Sequence, residues 1–461
     1  MNSISENMAF EQDIISSVRG FFKRFSIVNA LSRANAYKTK GFSPVSIVQY
    51  LVQLVFMRES MYRDSLNGER SVIGSSVDAV YRFMRCGYIN WGTFLMTVSM
   101  AVCSWVDSLT SESRLTALVI DDTLYHRPFS KKLELVSNVF DHTDRKYKRG
   151  FRSLFLGWTD GATFLPVAFR HMSSPNEKNR YCESNVNTDN RTCGGKAKKE
   201  AVAKSLDVAL RMLKDAKRSA VPARHVLFDS WFTNPTFVMS ILGIGFHSIG
   251  RLKNSKTRYW LGEQAHTLKE LYDTSKKRRG RSKYLLSIAV AIKNSDGEAA
   301  NARIVYVRDR SKAKKWIAFL CTDMELTEEQ IIELYGKRWS IEVFFKTCKQ
   351  YLRFTGEFQQ TSYEAITAHT SIVAIRYMIF AVEQRQNTDL RRTPGDLFHL
   401  FTNEAKDIVF GEVISALIGE LTKLICGITR LDEKEVLKLM DVFFMSLPAH
   451  IKNLVPQRNA V

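Results

Sequence analysis

The sequence predicts a mixed α/β protein in which a strand-rich middle lies between two helical regions. Residues 1–110 contain the long apolar segment PVSIVQYLVQLVFMRESMYR and polar turns, a pattern typical of helices. After residue 114, short apolar runs that end in acidic residues indicate buried strands. Beyond Glu342, the segments SIVAIRYMIFAVEQ and VISALIGELTKLIC again predict helices.

The charge balance favours a polyanionic partner. Lys and Arg number 67 against 47 Asp and Glu in a chain of 461 residues, which gives a formal net charge of +20. We expect nucleic acid rather than a membrane, because the longest apolar runs, 47–57 and 94–106, are too short to span a bilayer. The first residues show no signal-peptide pattern, and the seven cysteines form no CxxC pair, so we expect reduced thiols and a cytoplasmic location.

Acidic residues follow two of the predicted strands. The strand at 118–120 ends on Asp121 and Asp122, and the strand at 226–228 ends on Asp229. Between them the sequence predicts two strands joined by a turn at Asp160 and Gly161, a polar loop from Ser173 to Gly195, and one helix over 197–218. A single Asp after a strand is more often a turn or cap residue than a ligand.

Residues 246–323 are strand-rich and predict a β-rich insertion, because this stretch is too long for a simple crossover. It contains two basic turns, KKRRGRSK at 276–283 and RDRSKAKK at 308–315. The cations Arg278, Arg279 and Arg281 belong either to a solvated turn or to a phosphate-binding loop. Nearer the start of the chain, the order of a helix, a turn and a basic helix before residue 85 fits a helix-turn-helix reader of DNA, although many helical domains share it.

One long helix is predicted from Thr327 to residue 350, with Thr327 and Gln330 forming a capping box. At about 100° per residue, four polar side chains of this helix fall on one stripe between apolar faces: Tyr335, Arg338, Glu342 and Lys349. The simplest interpretation is a surface ion pair between Arg338 and Glu342. That pair leaves the other two residues unexplained, whereas a carboxylate among Tyr, Arg and Lys suits a site for phosphate and metal together.

The stripe matches, without a gap, the Y-(2)-R-(3)-E-(6)-K signature of DDE transposases of the insertion-sequence-4 family. VIDDT and VLFDSWF resemble the two acidic motifs of that family, and the resemblance extends over about residues 70–380. It implies that Asp122, Asp229 and Glu342 are the catalytic and metal-binding acids. Asp122 is preferred to its neighbour Asp121 because the family's ligand directly precedes Thr.

The resemblance further implies a ribonuclease-H-like catalytic core over 111–380 that carries the insertion at about 246–323. A helical domain at 1–110 would bind DNA ends, and a helical region at 381–461 would help to pair two protomers. Two Mg²⁺ ions, replaceable by Mn²⁺, would serve as cofactors. Double-stranded DNA and a second copy of the chain in the DNA complex would be the partners, with no membrane involved and the bacterial nucleoid as the place of action.

By the same resemblance, Tyr335, Arg338 and Lys349 would bind the DNA backbone, and the activity would be cut-and-paste transposition. Release through a DNA hairpin would require a base to leave its stack, and Trp316 is a candidate to hold that base, although a core aromatic is the simpler interpretation of this tryptophan. A ribonuclease-H-like nuclease without strand transfer and an inactive DNA-binding derivative are the alternatives. Four histidines have spacings that suit no metal ligand set: His126, His142, His171 and His225.

Overall fold

The structure is a computed structural model that describes residues 16–58, 60–61, 64, 77–111, 114–141, 144–185, 189–278, 282–309, 315–358, 360–386, 392–428 and 433–446. The helices before the first strand are α1 (Ser16–Arg24), α2 (Ile27–Arg33), α3 (Pro44–Gln53), α4 (Val77–Met84) and α5 (Trp91–Ser108). The described residues before the first strand thus form helices and their connections.

The middle of the chain contains the strands. In order they are β1 (Ala117–His126), β2 (Ser137–Asp141), β3 (Lys146–Thr159), β4 (Phe164–Met172), β5 (His225–Phe228), β6 (His247–Leu252), β7 (Arg258–Leu261), β8 (Gln264–Thr267), β9 (Leu286–Lys293), β10 (Ala299–Arg308) and β11 (Trp316–Cys321). The helices among and after them are α6 (Cys193–Ala201), α7 (Ser205–Arg218), α8 (Pro235–Ile244), α9 (Leu268–Thr274), α10 (Glu328–Gly336), α11 (Trp339–Gln350), α12 (Tyr363–Gln386), α13 (Pro394–Ile428) and α14 (Glu433–Ser446).

The strands form one large mixed sheet in the order β2-β3-β1-β5-β6-β11-β10-β9-β7-β8, with β4 paired to β3. Strands β1, β5 and β6 run parallel to one another, whereas β3 is antiparallel to β1 and β4 is antiparallel to β3. A large mixed sheet with helices is consistent with the predicted ribonuclease-H-like core. Strands β7 to β11 continue the same sheet, because β11 pairs with β6 and the others follow in antiparallel order.

Two local predictions differ from the structure. The helix expected over 197–218 is two helices, α6 and α7, because Lys204 has an extended backbone (φ −66°, ψ 130°) that ends any continuous helix. Strand β1 does not end at Ile120 but continues to His126, since β3 pairs with it along this whole length. The predicted turn at Asp160 and Gly161 is confirmed, and Gly161 adopts φ +94°, which glycine tolerates without strain.

Helix α12 forms part of the core. Among the described residues it alone has the length and hydropathy to cross a membrane, but 94% of its apolar stretch is buried inside the protein, as in a core helix. It also carries a buried ionic cluster, in which Glu357 accepts hydrogen bonds from Arg376 at 2.7 and 2.9 Å and lies 3.1 Å from His369. These buried groups satisfy one another, which offsets the cost of removing their charges from water.

The chain divides into two compact units. The larger comprises residues 22–48 and 78–391 and contains the sheet; the smaller comprises 1–21, 49–77 and 392–461. Within the smaller unit Phe56 packs against Phe401 with ring centroids 5.3 Å apart, and Ser16 donates a 2.6 Å hydrogen bond to Glu404. The turn of the predicted helix-turn-helix, LNGERSVIGSS at 66–76, lies outside the described residues.

Candidate active site

Two acids follow the paired ends of neighbouring parallel strands. The last aligned pair of β1 and β5 is Ile120 with Phe228, so Asp121 and Asp229 come next on their strands. Side chains alternate between the faces of a sheet, and aligned residues of parallel strands share a face. Asp121 and Asp229 therefore come at the same level of the two strands, and the charge of Asp229 contributes to the raised pKa of Asp121. Within β1, Asp122 lies on the face opposite Asp121.

Helix α11 covers the face that carries Asp121. In the β1–β3 pairing Asp121 is opposite Phe155, and the Phe155 ring lies 5.3 Å from Phe344 and 5.5 Å from Phe345 of α11. These aromatic contacts fix the helix over the strand, with Ile341 and Phe344 buried. The packing thus brings the polar side of α11 to Asp121, from 217 residues away in the chain.

Arg338 connects Asp121 with Glu342. Its Nη1 lies 2.7 Å from Oδ2 of Asp121, and its Nη2 donates to Oε1 of Glu342. The side chains of Arg338, Asp121 and Glu342 are 15%, 19% and 34% exposed, so all three are partly withdrawn from water. Burial raises the pKa of Asp121 to about 7; Arg338 opposes this rise, whereas the neighbouring charges of Asp122 and Asp229 add to it.

Asp122 has a different environment. On the opposite face from Asp121 its Oδ2 accepts hydrogen bonds from Nε and Nη2 of Arg152, both at 2.6 Å. Asp121 and Asp122 thus pair with different arginines on different elements. Arg338 links Asp121 to Glu342, and the charges of Asp122 and Asp229 both act on Asp121.

The helix predicted over 327–350 is interrupted in the structure. The capping box of Thr327 and Gln330 is confirmed, but α10 ends at Gly336 and α11 begins at Trp339. Between them the backbone N–H of Lys337 bonds to the carbonyl of Leu334 at 3.1 Å, an i to i−3 hydrogen bond. The Lys337 ammonium also donates to backbone carbonyls at 2.7 and 3.2 Å, which ties this turn to the sheet.

Three of the four stripe residues lie near the acids, and one lies farther away. The Tyr335 ring packs against Phe319 of β11 with centroids 4.3 Å apart and the ring planes tilted by 36°. Burial raises the pKa of Tyr335, and the charge of Asp229 adds to the rise. Lys349 is seven residues beyond Glu342, about 10 Å along the helix axis. Burial lowers its pKa, and the charge of Asp141 on β2 opposes that shift, so Lys349 points toward the β2–β3 hairpin.

The donor chemistry fits a hard divalent cation, because carboxylate oxygens are the ligands that Mg²⁺ prefers. A positive group already lies between Asp121 and Glu342, namely the Arg338 guanidinium. Within the part of the chain that the structure describes, however, no three His, Cys, Asp or Glu side chains stand close enough to hold a metal ion. Binding of an ion between these acids would therefore require Arg338 to release at least one of them.

The remaining predicted DNA-binding residues belong to the β-rich region. Trp316 begins β11 and packs on Tyr272 (5.0 Å, stacked) and Tyr306 (5.1 Å, edge-on), the contacts of a core aromatic. Arg278 is exposed and its guanidinium lies 4.3 Å from the Tyr284 ring, whereas Arg279 and Arg281 fall outside the described residues.

Two of the four histidines considered as metal ligands have hydrogen-bond or ion-pair partners within the protein. His171 is buried between Ser153 (2.7 Å) and Thr370 (2.9 Å), and His225 lies 2.8 Å from Asp323. His142 falls outside the described residues.

Two residues near the acids were not singled out from the sequence. Trp231 is 46% exposed, and its backbone N–H donates a 2.9 Å hydrogen bond to Oδ1 of Asp229. The guanidinium of Arg152, the partner of Asp122, lies 4.5 Å from the Trp231 ring. A signal was present in VLFDSWF, where an aromatic residue follows the strand-ending acid by two positions.

A comparison with protein families gives one match. The model for the family described as DDE superfamily endonuclease matches residues 43–314, more than half of the chain. The matched range contains Asp121, Asp122 and Asp229 and ends before Glu342. No curated protein matches the chain.

Proposed function

Because the chain belongs to the DDE superfamily of endonucleases, we propose that it is a cut-and-paste DNA transposase. It binds the terminal inverted repeats of an element, cleaves the DNA by metal-dependent hydrolysis and joins the 3′ ends to target DNA. Its excess of basic residues, 67 against 47 acidic ones, supports a DNA partner.

One observation carries this proposal: Asp121 and Asp229 directly follow the last aligned pair of β1 and β5, and Arg338 links Asp121 to Glu342 of the covering helix. The proposed metal-binding acids are therefore Asp121, Asp229 and Glu342. We assign Asp121 to the place that the sequence motif gave to Asp122, because Arg338 links Asp121 to Glu342 whereas Asp122 pairs with Arg152.

The three acids would hold Mg²⁺, with Mn²⁺ as a substitute. When bound, the ions supply Lewis-acid stabilisation of charge on the phosphate and favour ionisation of the attacking water or 3′-hydroxyl. Arg338, released from one carboxylate, donates to a phosphate oxygen, a planar pairing that guanidinium groups make well. Tyr335 positions the backbone beside Asp229, and Lys349 binds a phosphate farther along the strand, about 10 Å from Glu342 by helix rise.

The other parts of the proposal concern assembly. The N-terminal helices bind the ends, the C-terminal helices help to pair two protomers on DNA, and the protein acts at the nucleoid in the cytoplasm. Release of the element proceeds through a hairpin on its own ends. The helical character of both flanking regions supports this division of roles.

The test uses inverted repeats identified by sequencing the DNA that flanks the gene. We expect the purified protein to cut duplexes carrying these ends in Mg²⁺ and to join pre-cut 3′ ends to a target plasmid. Cutting without joining would identify a nuclease that lacks strand transfer. Binding without cutting in both Mg²⁺ and Mn²⁺ would identify an inactive DNA-binding derivative and overturn the proposal.

A further inference from the structure

Trp231 is held at a fixed position beside one of the proposed metal-binding acids. Its backbone N–H bonds to the Asp229 carboxylate at 2.9 Å, and the edge of its ring meets the buried Phe232 with centroids 4.7 Å apart. Even so, 46% of its surface is exposed. Trp231 is thus positioned by Asp229 and Phe232, while nearly half of its surface remains available for contact with a ligand.

Arg152 also contacts the indole ring of Trp231. Its guanidinium lies 4.5 Å from the centre of the Trp231 ring, a cation–π distance, and is itself oriented by two hydrogen bonds to Asp122. Asp122, Arg152 and Trp231 therefore form a connected series of side chains. At one end of this series, Asp122 directly follows Asp121 in sequence. At the other end, Trp231 comes two residues after Asp229.

A positive group and an exposed aromatic ring together match the chemistry of an unpaired nucleotide. Bases without a Watson–Crick partner stack on aromatic side chains whatever their sequence, while their phosphates bind arginine. Paired bases meet edge to edge and stack their faces on the neighbouring base pairs, so they cannot also stack on a protein ring. Trp316 differs in having two aromatic neighbours, Tyr272 at 5.0 Å and Tyr306 at 5.1 Å, whereas 46% of Trp231 is exposed.

We propose that Trp231 is a stacking site for the base of an unpaired nucleotide next to the phosphate that is cut, with Arg152 binding an adjacent phosphate. Asp122 acts as a positioning residue that orients Arg152. The proposal rests on the proposed DNA-cleaving function and adds to it a preference for locally unpaired DNA at the cut.

The experiment measures binding of the full-length protein to inverted-repeat duplexes that carry 2-aminopurine at the nucleotide beside the cut, either paired or in a three-nucleotide mismatch. Ca²⁺ replaces Mg²⁺, so that the measurement does not depend on cleavage. In the wild type we expect tighter binding of the mismatched duplex and quenching of 2-aminopurine by the indole. Trp231→Ala should lose the quenching and weaken binding of the mismatched duplex by roughly 5- to 160-fold, while Trp231→Phe keeps most of both.

The matched control is Trp260→Ala, which removes another indole that a cation covers, the Lys293 ammonium at 4.8 Å. Trp260 is on β7, separated from β5 by four strands of the sheet. This control should bind both duplexes as the wild type does. If Trp231→Ala binds the mismatched duplex like the wild type and still quenches it, the stacking site is refuted while the transposase proposal stands. If the wild type binds neither duplex, both proposals fail.

Discussion

Asp121 and Asp229 each come one residue after Ile120 and Phe228, the last aligned pair of two parallel strands, and the charge of Asp229 acts on the Asp121 carboxylate. Close carboxylates raise the cost of ionisation, and the pKa of Asp121 accordingly rises to about 7 through burial and through the charges of Asp122 and Asp229. A cation is the natural way to stabilise such a pair. In the structure the Arg338 guanidinium pairs with Asp121 and Glu342, and in the active enzyme we propose that a metal ion binds the acids.

The first prediction concerns Arg338. Arg338→Gln removes the only positive group seen between Asp121 and Glu342 in the described structure, and two partly buried carboxylates then lose their shared partner. We expect the metal-free variant to lose about 2 kcal/mol of stability, and Mg²⁺ to restore much of it by binding the acids. Thermal unfolding with and without Mg²⁺ measures both effects.

Arg218→Gln is the matched control for that experiment, since it breaks an ion pair with Asp215 in which the arginine is 78% exposed. The midpoint of its thermal unfolding should change little, because exposed ion pairs contribute little to stability. Equal midpoints for wild type and Arg338→Gln in the absence of metal would show that Arg338 does not balance the carboxylates.

The second prediction concerns the basic turn at 276–283. Neutralising Arg278, Arg279 and Arg281 together should weaken binding to DNA ends, because each lost phosphate contact lowers the slope of log K against log salt by about 0.9. Binding titrations over a range of salt concentrations give this slope. Replacing two exposed arginines elsewhere, Arg191 and Arg218, provides the control, and an unchanged slope in the triple variant would identify the turn as merely solvated.

The third prediction concerns His171, which is fully buried between Ser153 and Thr370. Burial lowers its pKa from the usual 6.5 to about 3, so between these values the unfolded chain binds a proton that the folded protein does not. Its contribution to stability is therefore complete above pH 6.5 and is lost progressively as the pH falls toward 3.

At pH 5 the wild type should have lost about 2 kcal/mol through this residue. His171→Gln removes the titrating group, and its stability should change less between pH 7.5 and pH 5 than that of the wild type. Urea titrations at the two pH values measure the difference. An identical loss in both proteins would mean that His171 is not the group responsible.

The fourth prediction concerns Trp316. Because Trp316 packs on Tyr272 and Tyr306, Trp316→Ala should lower thermal stability and reduce nicking and hairpin formation together. Trp316→Phe should preserve all three properties. Normal stability and nicking in Trp316→Ala, combined with accumulation of nicked DNA in place of hairpin, would instead support the base-holding role that the resemblance suggested.

Local patterns predicted much of the fold. The helical ends of the chain, the hairpin at Asp160 and the strands around Asp121 and Asp229 all follow from short stretches whose apolar spacing and turn residues are visible in the sequence. The interruption before Trp339 was missed because Lys337 is held by carbonyls of Leu115 and Asp160, which are distant in the chain.

A short sequence motif does not determine which of two adjacent acids belongs to the site. Asp121 and Asp122 are adjacent residues of β1, and the motif alone favoured Asp122. Which face each occupies depends on the register of β1 against β5 and on the helix that covers Phe155. Strand register and helix packing depend on segments that are distant in the chain. The motif VIDDT alone therefore cannot decide between Asp121 and Asp122.

The most direct test of the account is cleavage of inverted-repeat duplexes in Mg²⁺ by four single variants of matched size: Asp121→Asn, Asp122→Asn, Asp229→Asn and Glu342→Gln. We expect the Asp121, Asp229 and Glu342 variants to lose cleavage in both Mg²⁺ and Mn²⁺ while binding the ends almost normally, since metal chemistry and DNA affinity depend on different residues. Asp122→Asn should retain measurable cleavage. Normal cleavage by Asp121→Asn together with inactivity of Asp122→Asn would contradict the assignment and restore Asp122 as the metal-binding acid.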